Sequence, residues 1–281
     1  MTSPAKESFE RDGFVIIDGL IPPALFAELT SACARVVAKT RAGAWPHRRV
    51  VGRQFPPFDS AEPDSWGVQH VMHPDLGEPV FARWYASDAL AGAVCELLQC
   101  AEGDLQMELF NLLINPESHA FALRWHRDDV RENATTEEEV QALQLWHHGI
   151  QWNTALYEDS CLFVVPGSHK TPRTPEQRAR SETSEAPKDP MDMPGAVQVT
   201  IKPGQTVFYN NNILHCAAYD PHAQRATLHA SMGDTRGGTA RARATGARFR
   251  ETLPDGRARE MLDRLVDMES TVDDVGYSLS A

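Results

Sequence analysis

The chain has 281 residues and a formal charge of −12 at pH 7, which argues against nucleic acid or an anionic membrane as its main partner, since both need a basic face. Its five cysteines show no CxxC spacing, so neither a zinc knuckle nor a disulfide framework is expected. No apolar run approaches membrane-spanning length and the opening Met1-Thr2-Ser3-Pro4 is polar, so the expectation is a cytoplasmic protein with a single domain over residues 1–281.

Ser3 followed by Pro4 starts a helix and Gly13 stops it. Phe14-Val15-Ile16-Ile17 then reads as a short buried strand. Pro22-Pro23 opens an amphipathic helix to about Lys39, with Leu25, Leu29, Ala32 and Val36 on one stripe. From Trp45 to Pro74 the sequence is rich in Pro, Arg and aromatics and has no period. A loop of that length inside a compact domain points to a lid or binding loop, over about residues 45–75. Leu90 to Leu98 returns to helix. After Gly103 strand patterns dominate: Leu105–Asn115, Ala120–Asp128, then Ile150–Tyr157 and Leu162–Val165. An acidic helix intervenes, opened by a Thr135/Glu138 capping box and running to about His147. Residues 170–195 are polar and Pro-rich and read as a surface loop. Val197–Ile201, Gln205–Tyr209, Ile213–Ala217 and Gln224–Met232 follow, punctuated by Pro203-Gly204 and Asn210-Asn211-Asn212. A final helix covers about Arg257–Met268. Helices first and then about eight short strands predict an α+β fold with a closed or sandwiched β core, at about residues 104–234.

Within Leu123-Arg124-Trp125-His126-Arg127-Asp128, an extended strand puts His126 and Asp128 on one face and Arg127 on the other. An imidazole and a carboxylate so placed are two ligands of a facial triad, the arrangement used for non-heme Fe(II). A second His-x-Asp, His73-Pro74-Asp75, has proline at its centre and reads as loop. Six histidines downstream compete for the third position. His147 and His148 sit at a helix end, His169 braces a Pro-Gly-Ser turn, and His222 lies in a loop. His215 lies in a short strand reached through two tight turns, and Arg225 begins the next strand, whose His229 shares its face. If those two strands are antiparallel neighbours, His215 and Arg225 face one interior. A buried guanidinium needs an anion, and a carboxylate matches it bidentately. Two partners remain open: a structural Asp or Glu, or a cosubstrate that chelates the metal at one end and presents a carboxylate at the other, as 2-oxoglutarate does.

Taken together, Trp125-His126-Arg127-Asp128, Phe163-Val164-Val165-Pro166-Gly167-Ser168-His169-Lys170, and Pro203-Gly204-Gln205-Thr206-Val207-Phe208-Tyr209 leading to His215 and Arg225 resemble the phytanoyl-CoA dioxygenase family. Asp12-Gly13-Phe14-Val15-Ile16 followed by a helix resembles that family's opening, so the likeness spans about residues 9–232. It implies a double-stranded β-helix (jelly-roll) core with flanking N- and C-terminal helices, Fe(II), 2-oxoglutarate and O2. His126, Asp128 and His215 match the iron triad, and Arg225 matches the 2-oxoglutarate clamp. Thr227 shares Arg225's face and is positioned to donate to the same carboxylate. Asn111, on the strand before the triad, is a further cosubstrate candidate or a satisfied interior amide. His229 is a substrate or supporting residue, or a hydrogen-bonded core histidine. Gln151 and Asn153 alternate on one polar face as candidate pocket residues.

The activity so implied is oxidation of an unactivated C–H bond of a small molecule by hydroxylation, desaturation or cyclisation. A natural-product or amino-acid-derived substrate in secondary metabolism is expected, with selectivity from Trp45–Trp66 and Lys170–Gly195. The intact Asp128 carboxylate occupies the position a halide would need, which points to an oxygenase rather than a halogenase. Neither nucleic acid nor membrane is an expected partner, and the oligomeric state is not legible. Two other classes stay open: a cupin-like metalloenzyme that does not use 2-oxoglutarate, and a non-catalytic barrel acting as a binding module.

Overall fold

A computed structural model describes residues 2–54, 58, 62–146, 148–241, 253 and 256–269. Helix α1 (Pro4–Asp12) starts where the Ser3 side chain accepts from the Lys6 N–H, and it ends at Gly13 in the left-handed region. Strand β1 (Phe14–Ile17) and helix α2 (Pro23–Arg41) follow as expected. Residues 45–75 hold two strands, β2 (Arg48–Val50) and β3 (Ser65–Val68), and so are not one aperiodic loop. Strands this short carry no readable period, and pairing with a neighbouring sheet defines them. His73 caps a 3-10 turn at Pro74–Leu76, its ring accepting from the Asp75 N–H, so the second His-x-Asp is a loop.

Helix α3 (Val80–Tyr85), unforeseen in the sequence, and α4 (Asp88–Leu98) lead into β4 (Leu105–Ile114). The strand expected over Ala120–Asp128 is regular only at β5 (Phe121–Ala122), with one isolated bridge between His126 and His215 beyond it. Helix α5 (Thr136–Leu143) has the Thr135/Glu138 capping box and ends before His147, which lies outside the described residues. Next come β6 (Gly149–Ala155) and β7 (Asp159–Val164). Within 170–195 a second capping box, Thr174 with Gln177, opens helix α6 (Pro175–Ser181), so this stretch too is partly ordered structure. Strands β8 (Val197–Ile201), β9 (Thr206–Tyr209), β10 (His215–Tyr219) and β11 (Ala226–Asp234) precede helix α7 (Arg257–Glu269).

The strands form two antiparallel sheets, one of seven in the order β1-β9-β6-β11-β4-β3-β2 and one of four in the order β5-β10-β7-β8. Leu29, Ala32 and Val36 of α2, Leu90, Val94 and Leu97 of α4, and Met261 and Leu262 of α7 pack on the outer face of the large sheet. They meet Phe110, Leu112, Trp152, Phe208 and Leu228 there. Each Val, Leu, Phe or Met side chain among them contributes roughly 1.5–3 kcal/mol by leaving water, so this layer anchors the large sheet as a platform. The inner faces of both sheets meet in a smaller apolar cluster, Leu162, Val164, Val199, Ile201, Val207 and Ile213. A second apolar group, Trp66, Leu113, Leu123, Ala217 and Tyr219, shares the rest of the interior with polar side chains. Among the described residues no helix is long and apolar enough to cross a membrane.

One sequence expectation is overturned by this topology. The strands bearing His215 and Arg225 are not neighbours: β10 pairs with β5 and β7, while β11 pairs with β4 and β6. The two residues reach one interior because the turn between them crosses from the small sheet to the large one. A short loop between consecutive strands is equally compatible with a hairpin and with a sheet-to-sheet connection, and sequence alone does not distinguish them.

Candidate active site inside the jelly roll

His126 enters the site from an irregular segment laid along β10. Leu123 donates to Ala217 O (2.8 Å), His126 and His215 exchange backbone hydrogen bonds (2.9 and 3.0 Å), and Asp128 N donates to Asn211 O (2.8 Å). Three residues on one strand span two on the other between the first two contacts, which is a bulge, and it aims the side chains inward. The ligand atoms of His126, Asp128 and His215 all lie within 4.8 Å of one another, the one such cluster of three among the described residues. His126 Nε2 is 3.6 Å from Asp128 Oδ1, and His215 Nε2 is 3.7 Å from Asp128 Oδ2. Donors at right angles on bonds of roughly 2.1 Å stand roughly 3 Å apart, so the three close on a divalent metal with a small adjustment.

Each imidazole is oriented from behind. His126 Nδ1 is 2.8 Å from Arg124 O and His215 Nδ1 is 2.9 Å from Ile213 O, so the protons sit on Nδ1 and both Nε2 lone pairs face inward. Burial, and next the neighbouring His215, push the His126 pKa down to about 4 against the pull of Asp128, which keeps the ring neutral. Gln54 Oε1 accepts from the Arg124 N–H (2.8 Å), tying the 45–75 region to this segment. Gln54 Nε2 also lies 3.1 Å from His126 Nδ1, but with hydrogens on both atoms only the carbonyl accepts there. Gln151 on β6 donates from Nε2 to Asp128 Oδ2, leaving Oδ1 for a metal.

Arg127 points away, as expected, into a buried network. Its guanidinium donates to Ser168 O (2.6 Å), Asn212 O and Thr171 O (3.0 Å), and its Nε meets Glu139 Oε1 at 2.9 Å. Glu139 on α5 is fully buried and also accepts from Arg173 and Arg178. The acidic helix that intervenes between the strands thus clamps the His126–Asp128 segment from behind.

At the other end of the interior, Arg225 is buried beneath both sheets. Its Nε donates to Asp159 Oδ2 (2.8 Å), its guanidinium lies 4.6 Å over the Tyr219 ring, and its Nη1 is buried without a hydrogen-bond partner. Burial opposes that charge most, but Asp159, Cys161 and Tyr219 together outweigh it and raise the pKa. Asp159 is held ionised in turn: burial works against its charge, and Arg225, the Thr227 hydroxyl and the Cys161 N–H outweigh it. Thr227 shares the anion of Arg225, and in this structure that anion is Asp159. Both partners left open by the sequence therefore bear on Arg225: a structural carboxylate takes Nε, and Nη1 remains for a second one. Nothing in the sequence around Asp159 singled it out.

The remaining candidates line the large sheet between these two ends. Asn111 on β4, His229 on β11 and Asn153 on β6 are aligned in register across three strands. His229 Nδ1 is 2.9 Å from Asn153 Oδ1, and burial together with the positive charges of Arg49 and Arg225 holds its pKa well below the usual histidine range. Asn111 Oδ1 accepts from the His70 N–H (3.0 Å), while its Nδ2 is buried and unpartnered. Tyr209 on β9 packs its ring 5.4 Å from that of His215. His169, on the small-sheet side, packs on Gly13 and pairs with Glu10 O (3.1 Å), bracing its turn as expected.

The donor set fits iron and the interior fits its cosubstrate: two imidazoles with Nε2 turned inward and a carboxylate at one end, unpartnered buried donors on Arg225 and Asn111 facing the same space. The family model for phytanoyl-CoA dioxygenase (PhyH) matches residues 9–219. No curated protein matches the sequence. Among solved structures, AviO1 from Streptomyces viridochromogenes Tue57 is 18% identical with a TM-score of 0.59, covering 82% of this chain and 93% of that one. EctD from S. alaskensis with 2-oxoglutarate and 5-hydroxyectoine is 19% identical, TM-score 0.58, over 85% of this chain and 78% of that one. SnoK, a non-heme alpha ketoglutarate dependent carbocyclase from nogalamycin biosynthesis, is 18% identical, TM-score 0.56, over 84% and 85%. At these identities the likeness shows a shared fold.

Proposed function

The chain belongs to the phytanoyl-CoA dioxygenase family of Fe(II)- and 2-oxoglutarate-dependent enzymes, and we propose that it oxidises an unactivated C–H bond of a small natural-product or amino-acid-derived molecule. The observation that carries this reading is the pairing of the His126–Asp128–His215 cluster with a buried, partly unpaired guanidinium inside one barrel. His126 and His215 would hold iron through Nε2 and Asp128 through Oδ1. Arg225 Nη1 and Asn111 Nδ2 would meet the cosubstrate. Bound iron and 2-oxoglutarate would supply the oxidising power, by oxidative decarboxylation of the cosubstrate with O2.

The chain's own residues orient and insulate. The Arg124 and Ile213 carbonyls fix the imidazole tautomers, and Gln151 fixes which Asp128 oxygen faces the metal. In this reading Gln151 is a positioning residue, and Asn153 acts through His229 by orienting its ring. The intact Asp128 keeps its place in the coordination sphere, which favours oxygenation over halide transfer. Occurrence in secondary metabolism is supported by SnoK, whose own reaction lies in nogalamycin biosynthesis.

The test is an anaerobic titration of the protein with Fe(II) and 2-oxoglutarate, followed by visible charge-transfer absorption. The expected result is a saturable band that is lost in Asp128→Ala and strongly weakened in Arg225→Ala. A wild-type protein that binds iron but develops no band with 2-oxoglutarate overturns the reading in favour of a metalloenzyme without this cosubstrate. One that binds neither is a non-catalytic barrel.

A further inference from the structure

A second arginine reaches the same interior. Arg49 on β2 is aligned with Gly67 on β3, Gly67 with Leu113 on β4, and Leu113 with Thr227 on β11, a single row across four strands. Thr227 bonds Asp159 across the barrel, so this row is on the inner face. Gly67 has no side chain, and the Arg49 stem lies over it: a Cβ there would stand 3.1 Å from Arg49 Cδ. The Arg49 guanidinium sits 5.0 Å over the Trp66 ring, that ring is 5.2 Å from Tyr219, and Tyr219 carries Arg225 on its face. Arg49 is half-buried, its Nε is buried without a hydrogen-bond partner, and it has no ion pair among the described residues. Its field reaches His229, Tyr209 and Tyr219, which bracket the space between the metal cluster and Arg225.

Charge balance says what such a cation is for. Iron(II) with two neutral imidazoles and Asp128 carries one net positive charge, and a 2-oxoglutarate dianion brings it to minus one. Arg225 cannot supply the difference, because Asp159 already neutralises it. A net charge left in a low-dielectric interior is costly. We infer that Arg49 is a second carboxylate-recognising guanidinium of the cosubstrate pocket, supplying the positive charge that the Arg225–Asp159 pair cannot. This rests on the proposed use of 2-oxoglutarate. In this division of labour Arg225 contributes a directed hydrogen bond, Arg49 contributes charge, and Gly67 makes the passage for it.

The test compares dissociation constants for 2-oxoglutarate and for 2-oxobutyrate, which lacks the distal carboxylate, in the anaerobic Fe(II) protein by visible absorption and by thermal shift. Arg49→Gln is expected to weaken 2-oxoglutarate at least tenfold and to leave 2-oxobutyrate within about threefold. Arg49→Lys is expected to recover most of the loss. Arg49→Met, which keeps an apolar stem over Gly67, serves as a second neutral variant should the glutamine form fold poorly. A 2-oxoglutarate affinity within twofold of wild type in either folded neutral variant overturns the inference, as does an equal loss for both ligands. Absence of any 2-oxoglutarate band in the wild type is a different failure, that of the proposed function.

Discussion

Replacing Glu139 by Gln keeps its shape and removes its charge, and the consequence follows from what surrounds it. The carboxylate is wholly buried and serves Arg127 (2.9 Å), Arg173 (3.1 Å) and Arg178. Arg127 and Arg173 side chains are only 2% and 4% exposed, so neither can turn to water. Burial already depresses the Arg127 pKa to about 10, with Glu139 working against that shift. Removing one partner of a buried pair costs about 3–5 kcal/mol because the other charge is stranded. For a chain of this size that is a fall in Tm on the order of 10 °C. Arg127 lies between His126 and Asp128, so loosening it also shifts the metal donors, and Fe(II) affinity should drop roughly 10–100-fold. Thermal denaturation and an Fe(II) titration measure the two effects. The half-exposed Arg83–Glu28 pair is the control: Arg83→Gln should change stability by about 1 kcal/mol or less. A Glu139→Gln protein within about 2 °C of wild type would refute the reasoning, since it would mean that the three guanidiniums are solvated or mutually tolerated.

Further outcomes follow from the same structure. Gln151→Leu should leave the Tm near wild type yet weaken Fe(II) binding roughly 10-fold or more, because Asp128 loses the donor that fixes its second oxygen; unchanged metal affinity would count against Gln151 as a positioning residue. Gly13→Ala should destabilise by at least about 1–3 kcal/mol in urea melts, since Gly13 has φ +82° and an added Cβ would run into His169. Stability should also decline as pH falls from about 6.5 to about 4. The folded His169 pKa is pushed down to about 4, chiefly by burial, so the unfolded chain binds the extra proton in that window; His169→Gln should flatten the slope there.

How much of this was legible depends on whether a signal was local. The α1 cap at Ser3, the Thr135/Glu138 box, and the strands Leu105–Ile114 and Val197–Ile201 were each announced by residues adjacent to them, and the structure has them. The clustering of His126, Asp128 and His215 was legible for another reason: a His-x-Asp and a turn-bounded histidine carry their own chemistry. What escaped was defined by distant partners. Strands β2 and β3 exist because they extend the large sheet beside β4, and a three-residue strand has no period to read. The polar stretch 170–195 looked like loop because its helix α6 is tied down by one arginine, Arg178, turned inward to a glutamate some forty residues earlier. Asp159 carried no mark in sequence, since its meaning comes from Arg225 and Thr227 on the facing sheet.

The two stretches expected as lid or substrate loops are fastened to the segment that carries His126 and Asp128. Gln54, from the first, accepts from the Arg124 N–H two residues before His126. Arg173 and Arg178, from the second, share Glu139 with Arg127, one residue after it. Arg124 adds a contact of its own, donating to Thr183 O (3.2 Å) at the end of α6. The irregular backbone from Leu123 to Asp128 cannot hold its shape by ladder bonds alone, because only isolated contacts with β10 and Asn211 support it. Side chains from the surrounding stretches complete that support. A bulged segment of this kind lets two ligands converge where a regular strand would not aim them, and the cost is dependence on outside partners. Sequence changes in either stretch therefore act on the placement of His126 and Asp128 as well, unless Gln54 and the Glu139 network are kept.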